Sequence, residues 1–474
     1  MHQIYTQAST VLISLGQAYN GSNAVIDSIE LHGTQSSLHF DTVTEAHGVG
    51  FISEAFQVSL LNFFYLPWWT RIWTAQEWGL TKHAVFLCGQ RELTGHQLQS
   101  FAQNSFAHDA CCATNKQFGK YTIDGRSVHA GLQKAALVQA QDVFQDWGYR
   151  DFVDVLATFQ YRQCFNPCDK VYGLLGLAPE SFRSKIQLDY HRSPGEVYTD
   201  VVQAAISETG NLNVLSYIDG RRTGGLDLPS FIPDFTSAVQ EKWVPNYLSR
   251  CFVTLDYYNA CNSSVPDFII LDTVEAMTSA VILDVVEGTA HTSFGASWTD
   301  KLSEYHRLAG LAAACTSRGC GDIGSFWRTL CGGICYYYKG ATWFRPVADS
   351  DYSSYAKWQT WIDAGMVPEL EDRDVLDFHR VFSTAIAGRK MVTTRDGSFV
   401  LAPWRTCAGD VVAILPGGRV PYILRPQIMR RDSGFAEDEL KRSKQYQFIG
   451  DAYIHGVMHG EAYDKTRLET VALV

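Results

Sequence analysis

Long hydrophobic runs are missing from this 474-residue sequence. No stretch reaches the roughly eighteen apolar residues that a membrane-spanning helix needs, and the apolar run Val11 to Leu15 is too short, with no basic flank, for a secretory leader. The expectation is a cytoplasmic protein without a membrane span. Clustered positive charge is missing too. Lys and Arg number 39 against 50 Asp and Glu, and the formal charge is −11, so nothing offers the basic footprint that nucleic-acid phosphates require. Twelve cysteines are present without one Cys-x-x-Cys pair, which points to reduced thiols buried as small apolar groups. Cys164, Cys168, Cys331 and Cys335 lack the partner histidines of a common zinc site. Gly-x-Gly-x-x-Gly, Walker, Gly-x-Ser-x-Gly and His-Glu-x-x-His motifs are all absent, which leaves dinucleotide, phosphate-loop, esterase and zinc-protease chemistry without support. No internal repeat is found.

What is abundant is aromatic and apolar side chain, 13% and 46% of the residues, enough for sizeable cores in two or three domains. The densest stretch runs from Pro67 to Leu80 and carries four tryptophans and one acid. Pro67 suits the first position of a helix and Gly79 its end. At 3.6 residues per turn, Trp69, Ile72, Trp73, Gln76 and Leu80 share a face, with Glu77 at its margin one turn beyond Trp73. Two readings of Glu77 stand side by side. It is either the polar edge of a core helix, or an acid whose proton affinity is raised by indole and which serves as catalyst or as acceptor for a ligand hydroxyl. Trp69, Trp73, Gln76, Arg71 and Tyr65 would line the associated pocket.

The run Pro67-Trp68-Trp69-x-Arg71-Ile72-Trp73-x-x-Gln76-Glu77 resembles the signature of the fungal heterokaryon-incompatibility (HET) domain. Ile4-Tyr5-x-x-Ala8, Asp169-Lys170-Val171-Tyr172-Gly173-Leu174-Leu175-Gly176-Leu177, Leu228 to Phe235, Phe326 to Leu330, and the closing Gly450-Asp451-Ala452-Tyr453-Ile454-His455-Gly456 resemble further motifs of its long members, in the same order. The family's leading Tyr-x-Ala-Leu-Ser-Tyr-x-Trp-Gly and Trp-Ile-Asp-x-Ile-Cys-Ile-Asn-Gln segments do not occur. A domain shortened at its N-terminus, by nature or by an unread exon, is the expectation. The resemblance implies non-self recognition and cell-death signalling through a protein partner or self-association. It also implies a distant likeness to TIR domains, in whose NAD-cleaving members a Trp-x-x-x-Glu helix holds the ribose. Trp73 to Glu77 has that spacing, so NAD is a conceivable substrate, with no bound cofactor, and a small-molecule biosynthetic enzyme on the same scaffold is a further alternative.

Along the chain, Thr10 to Leu15 and His83 to Cys88 read as strands buried on both faces, with helices from Ser22 and from Gly48 to Leu66 between them and another from Thr94. This is the pattern of a parallel α/β sheet. With leading strands missing, the Thr10 strand would expose an unpaired edge. A loop over 104–125 and a helix through Leu132 and Val143 follow, then helices from Phe152 to Tyr161 and from a capping Asp169. Ser193-Pro194-Gly195-Glu196 is a capping box that starts a helix. Cys251 to Tyr258, Phe268 to Asp272 and Ala280 to Val286 read as strands. Four helices and five strands come after them, the strands forming a small barrel or curled sheet. His455-x-x-x-His459-x-Glu461 has metal-ligand spacing, but Gly456 and Gly460 favour a turn. The fold class expected is α/β plus α+β: an incomplete TIR-like parallel core over 1–102, a helical middle over 103–235, and a β-rich α+β region over 236–474.

Overall fold

The computed structural model describes residues 2–35, 37, 54–107, 122–123, 126–127, 151–218, 225–237, 250–251, 254–271, 274–293, 296–315, 323–339, 342–366, 372–427 and 444–474. Helices and sheets are mixed throughout, and the chain separates into two compact units, Met1–Tyr190 with Ala238–Val244, and His191–Ser237 with Pro245–Val474. The sequence predicts three regions, over 1–102, 103–235 and 236–474. The loop and helix expected over 104–143 fall largely outside the described residues, as does most of the charged segment from Arg430 to Gln445.

In the first unit, helix α1 (His2–Gln7) precedes strand β1 (Val11–Gly16), and helices α2 (Ser22–Thr34), α3 (Glu54–Phe64), α4 (Pro67–Thr70) and α5 (Thr74–Gly79) lead to β2 (Ala84–Cys88). β1 and β2 pair in parallel, but β2 turns at Gly89 into the antiparallel β3 (Arg91–Thr94). The all-parallel expectation therefore holds for one strand pair only. β1 also corrects the expectation of two covered faces. Ile13 and Leu15 are buried while Leu12 is 67% exposed, the period-two pattern of an edge strand covered on one face. Helix α6 (Gly95–Ala107) packs on α2. After the short pair β4 (Thr122–Ile123) and β5 (Arg126–Ser127) come α7 (Phe152–Phe159), α8 (Asp169–Tyr172) and α9 (Glu180–Arg183). Asp169 is the first residue of α8 rather than its cap. Its carboxylate accepts the Tyr190 hydroxyl at 2.8 Å, and Cys168 stands at the cap position.

The second unit opens on α10 (Pro194–Thr209), whose capping box forms as the sequence predicts, with Ser193 N–H donating to Glu196 Oε2 at 2.8 Å. In the segment expected as a strand from Cys251 to Tyr258, the described residues instead include a 3₁₀ turn, Thr254–Tyr257. Cys251, Leu255 and Tyr258 are all buried, and their four-then-three spacing is helical. β6 (Ile269–Ile270) and the 14-residue β7 (Ala276–Thr289) follow, then α11 (Trp298–Cys315), α12 (Ile323–Leu330), β8 (Ile334–Lys339), β9 (Thr342–Pro346), α13 (Tyr352–Asp363) and α14 (Arg373–Ala385). The last strands are β10 (Arg389–Thr394), β11 (Phe399–Pro403), β12 (Val411–Ile414), β13 (Tyr422–Pro426), β14 (Lys444–Asp451), β15 (Tyr453–Ile454) and β16 (Glu469–Leu473).

Pairing in the order β12, β13, β14, β16, β7 and back to β12 closes a ring; of the five tail strands expected to form a small barrel or curled sheet, β12, β13 and β14 lie in it, whereas β10 and β11 extend the sheet outward from β7. Val286, Val392, Val400, Val412, Ile423 and Ile449 belong to one buried apolar cluster shared by the ring strands and by β10 and β11. Asp451, at the end of β14, is buried and bound by Arg250 Nη1 at 2.6 Å and Arg389 Nη2 at 2.7 Å. Gly456 and Gly460 take φ of +81° and +94°, so His455 and His459 lie on a turn, where His459 N–H donates to Glu461 Oε2. Among the described residues no group of three or more His, Cys, Asp or Glu is arranged to hold a metal, and no helix is long and apolar enough to cross a membrane.

Candidate functional site

The tryptophan stretch folds as two short helices rather than one. Pro67 occupies the first turn of α4, as its missing N–H allows, but Arg71 adopts φ −82° and ψ 136° and breaks the run. The break is held from outside. Ile72 N–H donates to Gln163 O at 3.0 Å, Gln163 N–H donates to Thr70 O at 2.5 Å, and the Thr74 hydroxyl reaches Trp68 O and Arg71 O. Arg162, fully buried, donates from Nη1 to Thr74 Oγ1 at 2.7 Å and to Arg71 O at 3.2 Å. Its guanidinium lies 5.1 Å from the centre of the Phe159 ring and 6.0 Å from that of Trp68, so π faces take part of the charge that water would otherwise solvate. Nothing in the spacing of the sequence singles out Arg162.

The aromatic payload faces inward. Trp69 and Trp78 are fully buried and Trp68 nearly so, and all three gather around Phe86 of β2 with ring centres 5.1 to 6.0 Å away. Phe63 and Phe64 at the end of α3 close the other side of Trp69. Because the helix breaks at Arg71, the face expected of a single helix holds in part: Trp69, Ile72 and Gln76 are buried. Trp68 and Trp78, outside the face expected from the sequence, are core, while Trp73 is only half-buried at the start of α5.

Glu77 is half-buried, and its Oε2 accepts the Trp68 indole N–H at 2.9 Å. The acid does lie against indole, but against Trp68 rather than Trp73. This bond spans the break and ties α5 to α4. Tyr5 of α1 senses the same place. Its hydroxyl is pushed above the usual tyrosine range first by burial and then by the charge of Glu77, while the Arg71 guanidinium opposes the shift. The structure thus gathers Glu77, Trp68, Tyr5 and Arg71. Tyr65 is half-buried in the turn before Pro67.

Gln76 is spent elsewhere. Its Nε2 donates to Tyr172 O at 3.1 Å, and a Cβ on Gly176 would meet Gln76 Oε1 at 2.3 Å. A Cβ on Gly173 would likewise come within 2.9 Å of Ile72 Cγ2. The two glycines of the 169–177 motif therefore let that segment dock directly on the tryptophan stretch. Two motifs far apart in sequence prove to be halves of one contact. His2 adds a third strand of the same weave, with Nδ1 2.9 Å from Gly176 O.

Family comparisons bear on the two ends of the chain. The model described as heterokaryon incompatibility protein (HET) matches residues 1–77, ending on Glu77, and the model described as Het-6 beta-barrel domain matches residues 366–474. The protein named heterokaryon incompatibility protein 6, OR allele, from Neurospora crassa is 22% identical over 572 aligned residues, covering all of this chain and 80% of its own length. No solved structure matches the chain.

Proposed function

From the premise that this chain is a member of the heterokaryon-incompatibility family, we propose that it acts in fungal non-self recognition and cell-death signalling, working in the cytoplasm through protein contacts or self-association. The observation that carries this reading is how the signature residues are used. Glu77 holds the Trp68 indole across a helix break and Gln76 holds the Tyr172 carbonyl, so the polar groups of the motif lock an interior joint. A joint of this kind suits a signalling scaffold whose shape is read by a partner. Inducible overexpression in a filamentous fungus tests it: growth arrest is the expected outcome, weakened by Trp68→Phe, which removes the indole donor. Full viability at high protein level overturns the proposal.

A second reading keeps the TIR-like core and makes Glu77 a catalytic carboxylate that cleaves NAD. One specific observation favours it. Glu77 remains partly accessible, with the Tyr5 hydroxyl and the Arg71 guanidinium near enough to act electrostatically, and a carboxylate so placed can stabilise the oxocarbenium charge that develops as a glycosidic bond breaks. Incubation of purified protein with NAD decides it. Nicotinamide release lost in Glu77→Ala supports the enzyme, and equal, negligible turnover in both proteins removes it.

A further inference from the structure

Away from the tryptophan stretch, the second unit has a partly open cavity of about 130 Å³ between α12, the β8–β9 hairpin, α13 and α14. Its volume equals roughly four waters at ~30 Å³ each, room for a linear ligand of a few heavy atoms. Trp327, Tyr336 and Phe378 supply aromatic surface, and Ile334, Val347 and Val381 add apolar surface. The polar lining is acidic in balance. Among the described residues that line it, Arg345 is the one cation, and it forms a two-point pair with Asp351, Nη1 to Oδ2 at 2.8 Å and Nη2 to Oδ1 at 2.7 Å. Cys335 brings no charge at neutral pH, because burial, and then the nearby Asp351, pushes its thiol up to about 12. Asp374 is exposed and held by Lys357 at 2.6 Å.

Asp377 differs from the other acids. Its side chain is largely covered, yet its cationic contacts are long, 3.6 Å to Arg373 Nε and 3.5 Å to Arg380 Nη1, outside good hydrogen-bond distance. Burial accordingly lifts its carboxyl above the usual range, with the arginines opposing. A covered carboxylate whose counter-ions stand off at this distance gains most from a donor inside the cavity. The aromatic wall is suited to the same charge. Arg380 already places its guanidinium 5.5 Å from the Tyr336 ring centre, and Arg328 lies 4.5 Å from that of Trp327. We propose that this cavity is a binding site for a small linear primary amine, its ammonium on Asp377 and its methylenes against Trp327, Tyr336 and Phe378.

Calorimetric titration of the full chain with n-butylamine, 1,4-diaminobutane, 1-butanol and butyrate tests this. The amines should bind, with 1-butanol and butyrate at least tenfold weaker, and Asp377→Asn should lose at least tenfold in amine affinity at an unchanged melting temperature. Should Asp377→Asn fail to fold, Ser354→Phe, which fills the half-buried rim, is the second variant and should abolish amine binding. Absence of amine binding, equal binding of 1-butanol and n-butylamine, or undiminished affinity in Asp377→Asn or in folded Ser354→Phe would overturn the proposal.

Discussion

Glu77 has an amide counterpart that separates charge from hydrogen bonding. Glutamine keeps an oxygen that accepts the Trp68 N–H, so Glu77→Gln should leave stability within about 0.5 kcal/mol of the parent, whereas Glu77→Ala strands the indole donor and should cost about 1–3 kcal/mol. Urea denaturation followed by tryptophan fluorescence measures both. Loss of the same size in the two variants would show that charge, not the bond, matters at this position. Gly176 allows a second test. Its missing Cβ is the space that Gln76 Oε1 fills, so Gly176→Ala should destabilise by about 1–3 kcal/mol, and adding Gln76→Ala should recover part of the loss through non-additivity. Strict additivity in the double mutant would separate the two motifs that the structure joins. Neither role is readable from helical spacing: Gly176 meets a partner about a hundred positions away, and the Glu77 bond to Trp68 forms only because the helix breaks between them at Arg71.

The tryptophan element shows where sequence reasoning stops. Pro67 fixes the helix start, and apolar periodicity correctly marks Trp69 and Ile72 as core, because both are consequences of local geometry. The break at Arg71 is imposed by tertiary partners, the backbone of Gln163 and the buried Arg162, and local propensity carries no trace of them. Thr74→Val is the matching experiment at this scale. It preserves shape while removing the hydroxyl that serves Trp68 O, Arg71 O and Arg162 Nη1, and it should cost about 1–3 kcal/mol in thermal denaturation. A neutral effect would mean that the Gln163 bridge holds the break unaided. In the second unit, the strands between Arg389 and Pro426 and the helices from Trp298 to Ala385 are legible because each is local and strongly patterned. The β8–β9 hairpin and β16 are not. Their sequences carry no clean alternation, and β16 becomes a strand by pairing with β7 and β14.

At the scale of the whole molecule, Asp451 ties together parts of the second unit that are far apart in sequence. It stands at the end of β14 and holds Arg389 at the start of β10 and Arg250 ahead of the barrel, all three nearly inaccessible to water. Burial by itself would raise the Asp451 carboxyl, but the two guanidiniums outweigh it and hold the group below its ordinary value. A carboxyl depressed in the folded state adds stability that is complete above the unfolded value of about 3.9 and is lost as pH falls through the folded value. Acid unfolding of the barrel should therefore begin below about pH 4 and sharpen as the two arginines lose their shared counter-ion. Asp451→Asn should remove this contribution to the acid limb and, at neutral pH, leave two buried cations without a carboxylate, at a cost of about 3–5 kcal/mol. Urea midpoints measured from pH 3 to pH 8 on both proteins check it: parallel pH profiles would show that the triad does not govern acid stability. A triple replacement of Arg250, Arg389 and Asp451 by apolar residues of similar size should recover much of what Asp451→Asn loses, because the penalty comes from unpaired charge and not from missing volume.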